Sequence, residues 1–419
     1  MFKTKITVQA IAAALAMATV AGVATAGDSK GFGPLEMSRP AYAGEWKRHS
    51  DWTKNRWDSF PTLASTPERK GATPSFEGLA GDPVRGKAVA EDQRKGNCYA
   101  CHTVGKHGFA KGDEMPGNVG PDLSAIGERG DPAYLRSRIS DPSVLNPMAI
   151  MPRFGADGIL NAQEIEDIVA WLSTTKGVPE FKTPLDDPNK RPSPVESRDW
   201  RDEFVNPAAS EIAVGKSLFS NPGPAGKACV SCHTAPERTF STWAATMPKP
   251  EPRMGGKILG VEEFIARHAP AVTGAEHPMM SAGNVALSIY LRSLADGATI
   301  AVDTESHYAK AAAERGKALT ERRIGQLNFA CQGCHTTGSG KFMRGQWLGA
   351  LDTGTMTTHF PTHRTSKTEN WDLRKRFQWC NVQGRANELP PDAPEYGDLE
   401  IYLTGLAKGK KLNAPGIRH

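Results

Sequence analysis

Cys98-Tyr99-Ala100-Cys101-His102 has the pattern Cys-x-x-Cys-His. The same pattern occurs twice more, as Cys229-Val230-Ser231-Cys232-His233 and Cys331-Gln332-Gly333-Cys334-His335. In each run the two thiols can attach to the vinyl groups of one porphyrin while the adjacent imidazole binds its iron. A zinc site or a thiol redox pair would not require the following histidine. The pattern therefore predicts three covalently bound haem c groups. Their attachment residues are Cys98, Cys101, Cys229, Cys232, Cys331 and Cys334, and their proximal ligands are His102, His233 and His335.

Each run lies in a unit that ends with a helix. Apolar residues at helical spacing occupy residues 168–172, 287–291 and 399–403, downstream of the three runs. Asn161 and Glu164 predict a capped start for the first of these closing helices. The repetition predicts a mainly α fold of three cytochrome c-like domains, each built around one covalently bound haem.

The N-terminal residues have the features of a secretory signal. Lys3 and Lys5 precede an apolar run over residues 6–23, and small residues at 24–26 suit a cleavage site. A transmembrane anchor is the competing interpretation, but charged stop-transfer residues do not follow, and no later segment is apolar enough to span a bilayer. The formal net charge of +5 is too small and too evenly spread to indicate nucleic-acid binding. We expect a periplasmic protein without a membrane span in its mature form.

The sixth ligand of each iron must come from outside the three runs. In the first unit Met151 lies in a loop before the closing helix, and we favour it over Met148 because a thioether there could reach the iron. In the second unit His268 lies one loop before the closing helix, which suits a distal ligand. The alternatives in the second unit are His277, Met279 and Met280.

Cys380 is the one cysteine outside the runs, and it lies in Arg374-Lys375-Arg376-Phe377-Gln378-Trp379-Cys380-Asn381. A lone thiol flanked by arginines in an oxidising compartment favours a thiolate, which can bind iron or act as a nucleophile toward an anionic sulfur compound. Neighbouring arginines can hold oxyanions through charge-assisted hydrogen bonds. We predict that Cys380 is catalytic and binds the third iron. Arg376 and Arg374 are the predicted anion-binding residues, and Arg385 is a further candidate.

Longer stretches around these residues resemble the SoxAX cytochromes of bacterial sulfur oxidation, in the order X then A. Gly81-Asp82-Pro83, Asn118-Val119-Gly120-Pro121-Asp122-Leu123 and Ile150-Met151-Pro152 resemble the single-haem SoxX subunit over about residues 78–176. Gly325-Gln326-Leu327-Asn328, Phe360-Pro361-Thr362, and Arg376-Phe377 leading to Cys380-Asn381 resemble the SoxA subunit over about residues 204–419. The neighbourhood of Cys380 is the most specific part of this resemblance.

The sequence features and the resemblance together divide the chain into six parts. These are a signal peptide (1–26), an N-terminal extension (27–77), a SoxX-like cytochrome c domain (78–176), a linker (177–203), a SoxA-like N-terminal cytochrome c domain (204–298) and a SoxA-like C-terminal catalytic cytochrome c domain (299–419).

The resemblance implies an L-cysteine S-thiosulfotransferase that joins thiosulfate oxidatively to a cysteine of a SoxYZ carrier protein. Two electrons would leave through the haems to a small cytochrome c. It also implies the ligand pairs His102 with Met151 and His335 with Cys380. Two-haem SoxA proteins have a cysteine where this sequence has His268, so we expect bis-histidine ligation by His233 and His268. The alternative functions are a thiosulfate dehydrogenase that forms tetrathionate and a non-catalytic multihaem electron carrier.

Overall fold

The structure is a computed structural model that describes residues 31–43, 71, 73–104, 115–194 and 202–419. The expected signal peptide, residues 1–26, lies outside the described residues, as does much of the N-terminal extension. The described part is mainly helical with a few short strands, which confirms the predicted fold class. No helix in this part is long and apolar enough to cross a membrane.

The elements follow one another in three groups along the chain. The first group contains α1 (Pro83–Glu91), α2 (Pro132–Ser140) and α3 (Ala162–Leu172). The second contains α4 (Glu211–Ser220), α5 (Pro236–Thr239), the antiparallel pair β1 (Lys249–Glu251) and β2 (Lys257–Leu259), α6 (Val261–Thr273) and α7 (Ala282–Leu294). Short 3-10 turns at Cys98–Ala100 and Cys229–Ser231 carry the cysteines of the first two runs.

The third group contains the largest share of the strands. Its helices are α8 (His307–Glu321), α9 (Leu373–Gln383) and α10 (Pro394–Leu406), and a π-helical turn at Gly333–Thr337 carries the third run. An antiparallel hairpin joins β3 (Lys341–Met343) to β4 (Gln346–Leu348). A three-stranded sheet has the order β6 (Glu369–Trp371), β5 (Thr362–Arg364) and β7 (Gly416–Arg418), with β5 antiparallel to β6 and parallel to β7.

The same helix crossing occurs in all three groups. The helix before each Cys-x-x-Cys-His run packs on the closing helix, as α1 on α3, α4 on α7 and α8 on α10. A buried glycine lies at each crossing, at Gly86, Gly215 and Gly316. A Cβ atom at these glycines would lie 1.9, 2.1 and 2.0 Å from the carbonyl oxygens of Asp167, Ala286 and Asp398, respectively. Only glycine allows the helix backbones to approach so closely, which explains why the three groups share it.

The first closing helix begins as its sequence predicts. The Asn161 side chain accepts a hydrogen bond from the Glu164 backbone N–H at 2.9 Å, and the Glu164 carboxylate accepts one from the Asn161 N–H at 3.0 Å. This reciprocal cap satisfies two backbone donors that the first turn would otherwise leave unpaired. The apolar face of α3 is then buried against α1 and α2.

We predict that Gly316→Ala destabilises the protein by about 1–3 kcal/mol or more, because the added methyl group cannot fit against the backbone of α10. Lys317→Ala on the same helix is the matched control. Its side chain is exposed, so we expect a change within about 0.5 kcal/mol. Guanidinium chloride unfolding of the holoprotein measures both. Equal stability of the two variants would contradict the close crossing of α8 and α10.

Candidate active site and metal centres

The imidazole of His102 is held from behind by the backbone. Its Nδ1 lies 2.7 Å from the carbonyl oxygen of Pro121. Gly120 leaves room for the ring, since a Cβ atom there would lie 2.2 Å from His102 Cε1. A metal-bound histidine commonly donates its other ring N–H to such a carbonyl, which leaves Nε2 free to bind the metal. His102 is therefore oriented as an iron ligand requires.

The position of Met151 suits the expected partner of His102. Met151 and Cys98 both pack, partly buried, against the core of the first group. Met148 is 72% exposed, so its thioether lies at the surface. Of the two methionines that the sequence offered, the structure favours Met151.

His233 and His268 face each other in the second group. Their ring centroids are 6.4 Å apart and their planes differ by 54°. A metal–nitrogen bond is about 2 Å long, so two imidazoles on opposite sides of one metal have centroids roughly 6 Å apart. His268 Nδ1 lies 2.8 Å from the carbonyl oxygen of Pro34, which again leaves Nε2 free. Burial lowers the pKa of both imidazoles and so favours the neutral form that binds metals.

Cys380 lies against His335 in the third group. A hydrogen bond joins the Cys380 thiol to the His335 imidazole, whose Nδ1 lies 2.7 Å from the Gly349 carbonyl oxygen. Burial raises the pKa of the Cys380 thiol, but Arg376, His335 and Arg364 outweigh burial and lower this pKa to about 7. A substantial fraction of Cys380 is therefore thiolate at neutral pH.

The attachment thiols of the same site behave differently. Cys331 and Cys334 are also buried, and burial raises the pKa of each to about 12. The second and third sites each offer two thiols, an imidazole and a second donor facing that imidazole, and Met151 is the candidate second donor of the first site. These donor sets fit haem c.

Two arginines beside Cys380 have unused hydrogen-bonding capacity. Nη1 of Arg376 and Nε of Arg364 are buried and have no hydrogen-bond partner among the described residues. Burial, followed by repulsion from Arg376, lowers the pKa of Arg364 to about 9, while the negative charge of Cys380 opposes this shift. Unpartnered buried guanidinium nitrogens next to a thiolate suit an anion with several oxygens.

Sequence reasoning missed Arg364, the neighbouring Arg418, and His359, which lies beside Arg418. Parallel pairing of β5 with β7 places Arg364 opposite Arg418, and Arg418 Nη2 lies 3.5 Å from His359 Nδ1. Burial, and then the charge of Arg418, lower the pKa of His359 well below its usual value. No local pattern marks these residues, because pairing between distant strands brings them together.

Arg374 does not join the group around Cys380. Its side chain is buried and donates to Glu263 at 2.6 Å and to Glu400 at 2.8 Å. Residues two apart on a helix point in nearly opposite directions, whereas residues four apart share a face. Arg376 therefore faces the same side as Cys380, and Arg374 faces the other. We correct the sequence-based interpretation of Arg374 and assign it a structural role instead of anion binding.

Arg385, the further anion-binding candidate, joins the first group to the third. Its Nη2 donates to the carbonyls of Gln93 and Lys95 at 2.8 and 2.6 Å. The hairpin after the third run makes backbone contacts with the first run, since Arg344 N–H donates to the Ala100 carbonyl at 3.0 Å. Burial, and then the nearby Cys101, raise the pKa of Cys334, so the first and third Cys-x-x-Cys-His runs lie close to each other.

Comparison with known proteins gives a consistent set of similarities. A cytochrome c family model matches residues 83–176. The SoxA subunit of L-cysteine S-thiosulfotransferase from Allochromatium vinosum is 31% identical over 232 residues, which cover 54% of this chain and 79% of that protein. The SoxA subunit from Chlorobaculum thiosulfatiphilum is 30% identical over 237 residues, covering 53% and 75%. The crystal structure of SoxXA from P. pantotrophus aligns with a TM-score of 0.49 and 25% identity, covering 53% of this chain and 83% of that one.

We predict that two substitutions on α9 differ strongly in how much they destabilise the protein. Arg374→Met should destabilise the protein by about 3–5 kcal/mol, because it leaves the buried carboxylates of Glu263 and Glu400 without their guanidinium partner. Arg376→Met should change stability by about 1 kcal/mol or less, because no described carboxylate forms an ion pair with Arg376. Denaturant unfolding measures both. Similar losses from the two variants would refute the separate roles of the two helix faces.

Asp372, which caps α9, gives a prediction with a defined pH dependence. Burial, and then Glu262, raise its pKa to about 7, and its Oδ2 is buried without a partner in the described part of the chain. A carboxyl pKa that is higher in the folded than in the unfolded protein lowers stability as pH rises between the two values. Asp372→Asn should therefore stabilise the protein by at least about 1 kcal/mol at pH 8 and have little effect near pH 4.

Asp372→Ala provides the control for this pH series. The Asp372 side chain accepts a hydrogen bond from the Lys375 N–H at 2.7 Å, and asparagine keeps this cap while alanine loses it. The alanine variant should lose about 1 kcal/mol at low pH, where the carboxyl is neutral in both states. Unfolding midpoints measured from pH 4 to pH 8 test both expectations. An asparagine variant whose stability difference does not change with pH would contradict the raised pKa.

Proposed function

The chain belongs to the SoxA family of L-cysteine S-thiosulfotransferase subunits, and we propose that it joins thiosulfate to a cysteine of a SoxYZ-type carrier protein. The Cys380 site carries this proposal. Its thiol has a lowered pKa despite burial, and Arg376 and Arg364 beside it have guanidinium nitrogens without partners among the described residues. A nucleophilic sulfur next to unpartnered guanidinium nitrogens suits an anionic sulfur substrate.

We propose that the enzyme carries three haem c groups. The ligand pairs would be His102 with Met151, His233 with His268, and His335 with Cys380. The thiols of the three Cys-x-x-Cys-His runs would form the thioether bonds. When bound, these groups supply one-electron redox relays that lead to a small cytochrome c acceptor.

The protein residues around Cys380 support a two-step reaction. Arg376 and Arg364 would bind the sulfonate oxygens of thiosulfate and direct its sulfane sulfur toward Cys380. The Cys380 thiolate forms a sulfur–sulfur bond with the sulfane sulfur while two electrons leave, which gives Cys380–S–S–SO3⁻. The cysteine thiolate of the carrier then attacks the sulfane sulfur, which forms carrier–S–S–SO3⁻ and releases the Cys380 thiolate. In sum, one thiolate and one thiosulfate dianion give one monoanionic conjugate and two electrons.

The first part of the chain has a place in the same proposal. Residues 78–176 would act as the SoxX-like electron relay, since a histidine–methionine pair favours a high reduction potential. The contacts between the first and third runs support a short path from the Cys380 site to this relay. The N-terminal signal features support a periplasmic location for this reaction.

We predict that Cys380→Ser lowers the rate of conjugate formation by about 10³-fold or more, since it removes the attacking sulfur. Arg376→Met should lower kcat/KM roughly 10- to 100-fold, because a charge-assisted hydrogen bond contributes about 1.5–3 kcal/mol. Arg376→Lys should recover part of this loss. Mass spectrometry of the carrier, incubated with enzyme, thiosulfate and an oxidised cytochrome c, measures the conjugate.

The same assay without the carrier separates conjugation from tetrathionate formation. Without the carrier, a conjugating enzyme reduces the cytochrome c for no more than one turnover, because Cys380 then stays blocked as Cys380–S–S–SO3⁻. Tetrathionate production at the full rate in the absence of the carrier would overturn the proposal in favour of a thiosulfate dehydrogenase. Unchanged sulfur turnover in Cys380→Ser would refute the catalytic role of Cys380, whereas electron transfer without any sulfur turnover in the parent protein would indicate a multihaem electron carrier.

A further inference from the structure

Residues 31–43 form a strap that lies across α6, the helix that carries His268. The Glu36 N–H donates to the carbonyl of Arg267 at 2.8 Å, and Arg267 Nη1 donates back to the Arg39 carbonyl at 2.9 Å. Farther along the strap, the Ala41 carbonyl accepts a hydrogen bond from the Met279 N–H at 2.8 Å. The strap is thus fixed to the helix just before His268 and to the loop that follows α6.

The strap also contacts the imidazole of His268 itself. The carbonyl oxygen of Pro34 lies 2.8 Å from His268 Nδ1. Phe32 packs on Phe264 with ring centroids 5.0 Å apart, and Phe264 stacks on the His268 ring at 4.8 Å and 16°. A hydrogen bond on one ring nitrogen and a stacked aromatic ring together restrict both the tilt and the rotation of this imidazole.

An ion pair between the buried Glu251 and the exposed Arg253 holds the strap next to Pro34. The Arg253 guanidinium donates to the carbonyls of Phe32 at 2.6 Å and of Gly33 at 2.9 Å. The Glu251 carboxylate accepts a hydrogen bond from the Phe32 N–H at 2.8 Å and pairs with Arg253. The residues on the N-terminal side of Pro34 are therefore fixed by side chains around β1, and those on the C-terminal side by α6.

We propose that the strap is a positioning element for the second metal centre, in which the Pro34 carbonyl sets the tautomer and orientation of His268. The inference rests on the proposed ligation by His233 and His268. An acceptor at Nδ1 keeps the proton there, so the lone pair is on Nε2. The same hydrogen bond makes the imidazole a stronger donor to the metal, which favours oxidised iron and lowers its reduction potential. The strap thereby keeps the second haem in a six-coordinate state of low potential.

The test compares four variants of the full-length holoprotein. One lacks residues 31–43, and a milder one is Phe32→Ala, which keeps the Pro34 carbonyl in the chain but removes the aromatic contact with α6. Phe204→Ala is the matched control, because it removes the same side chain from a position that is 95% exposed. His268→Ala is the reference for loss of the ligand. Electron paramagnetic resonance, a redox titration and carbon monoxide binding to the reduced protein are measured for each.

We expect the deletion and Phe32→Ala to change the low-spin signal of the second haem and to raise its midpoint potential. Outer-shell partners of a metal-bound histidine typically change the affinity for the metal by roughly 10- to 100-fold. A less firmly held His268 competes less well with carbon monoxide for the iron, so the apparent affinity for carbon monoxide should rise by roughly 10-fold or more. The signals of the other two haems and the Phe204→Ala protein should match the parent. These readouts report on the ligand and do not depend on sulfur turnover.

Two results separate the inference from the proposal beneath it. If His268→Ala alters the second-haem signal but the deletion and Phe32→Ala leave signal, potential and carbon monoxide affinity unchanged, the positioning role of the strap is overturned. If His268→Ala leaves all three low-spin signals as in the parent, the proposed ligation itself fails, and the inference fails with it.

Discussion

The buried guanidinium of Arg374, held between Glu263 of α6 and Glu400 of α10, determines how α9 lies in the third group. All three side chains are nearly inaccessible to solvent. Residues 374 and 376 are about 160° apart around a helix, whereas residues 376 and 380 are about 40° apart. When Arg374 points into the body of the protein, Arg376 and Cys380 must therefore point together to the opposite side.

A buried ion pair adds little net stability over an apolar contact, but it tolerates only one orientation of the helix. Since Glu263 and His268 share α6, the same pair also links the helices that carry His268 and Cys380, the proposed second donors of two metal centres.

A charge balance around Cys380 explains why one buried sulfur is activated while others in the same site are not. Burial acts on Cys331, Cys334 and Cys380 alike and disfavours the thiolate. The charges of Arg376 and Arg364, together with the hydrogen bond to His335, reverse this effect at Cys380 alone. The two arginines also repel each other, as the lowered pKa of Arg364 reflects. An anion bound between them would relieve this repulsion. The positive charge that lowers the pKa of the proposed nucleophile thus also suits the proposed anionic substrate.

The parts of the structure that could be predicted from the sequence depend on local spacing. The closing helices and the cap at Asn161 follow from apolar periodicity and from two polar residues three apart. The Cys380–His335 and His233–His268 pairs were expected from the few available donors together with the resemblance to the SoxAX cytochromes. The interpretation of Arg374 was wrong because it treated both flanking arginines as neighbours of Cys380 without applying the helical period.

Arg364 and Arg418 meet through parallel strands that are more than fifty residues apart in sequence. The strap contacts α6 across more than two hundred residues of sequence. Such contacts depend on the global chain path, which no short pattern determines.

The order of the units along one chain has a physical consequence for electron transfer between the first and third groups. The linker packs into their interface, where the Arg191 guanidinium donates to the Arg344 carbonyl at 2.8 Å and lies over the Phe342 ring at 4.7 Å. Asn118 of the first group exchanges hydrogen bonds with the backbone of Phe342, at 2.9 and 2.7 Å. Backbone contacts of this kind fix the register between the two groups. In separate subunits such an interface would form only at sufficient concentration, whereas a covalent linker makes its formation intramolecular. The proposed fusion therefore keeps the Cys380 site and the histidine–methionine relay together in every molecule, so that the transfer of both electrons does not wait for an encounter between subunits.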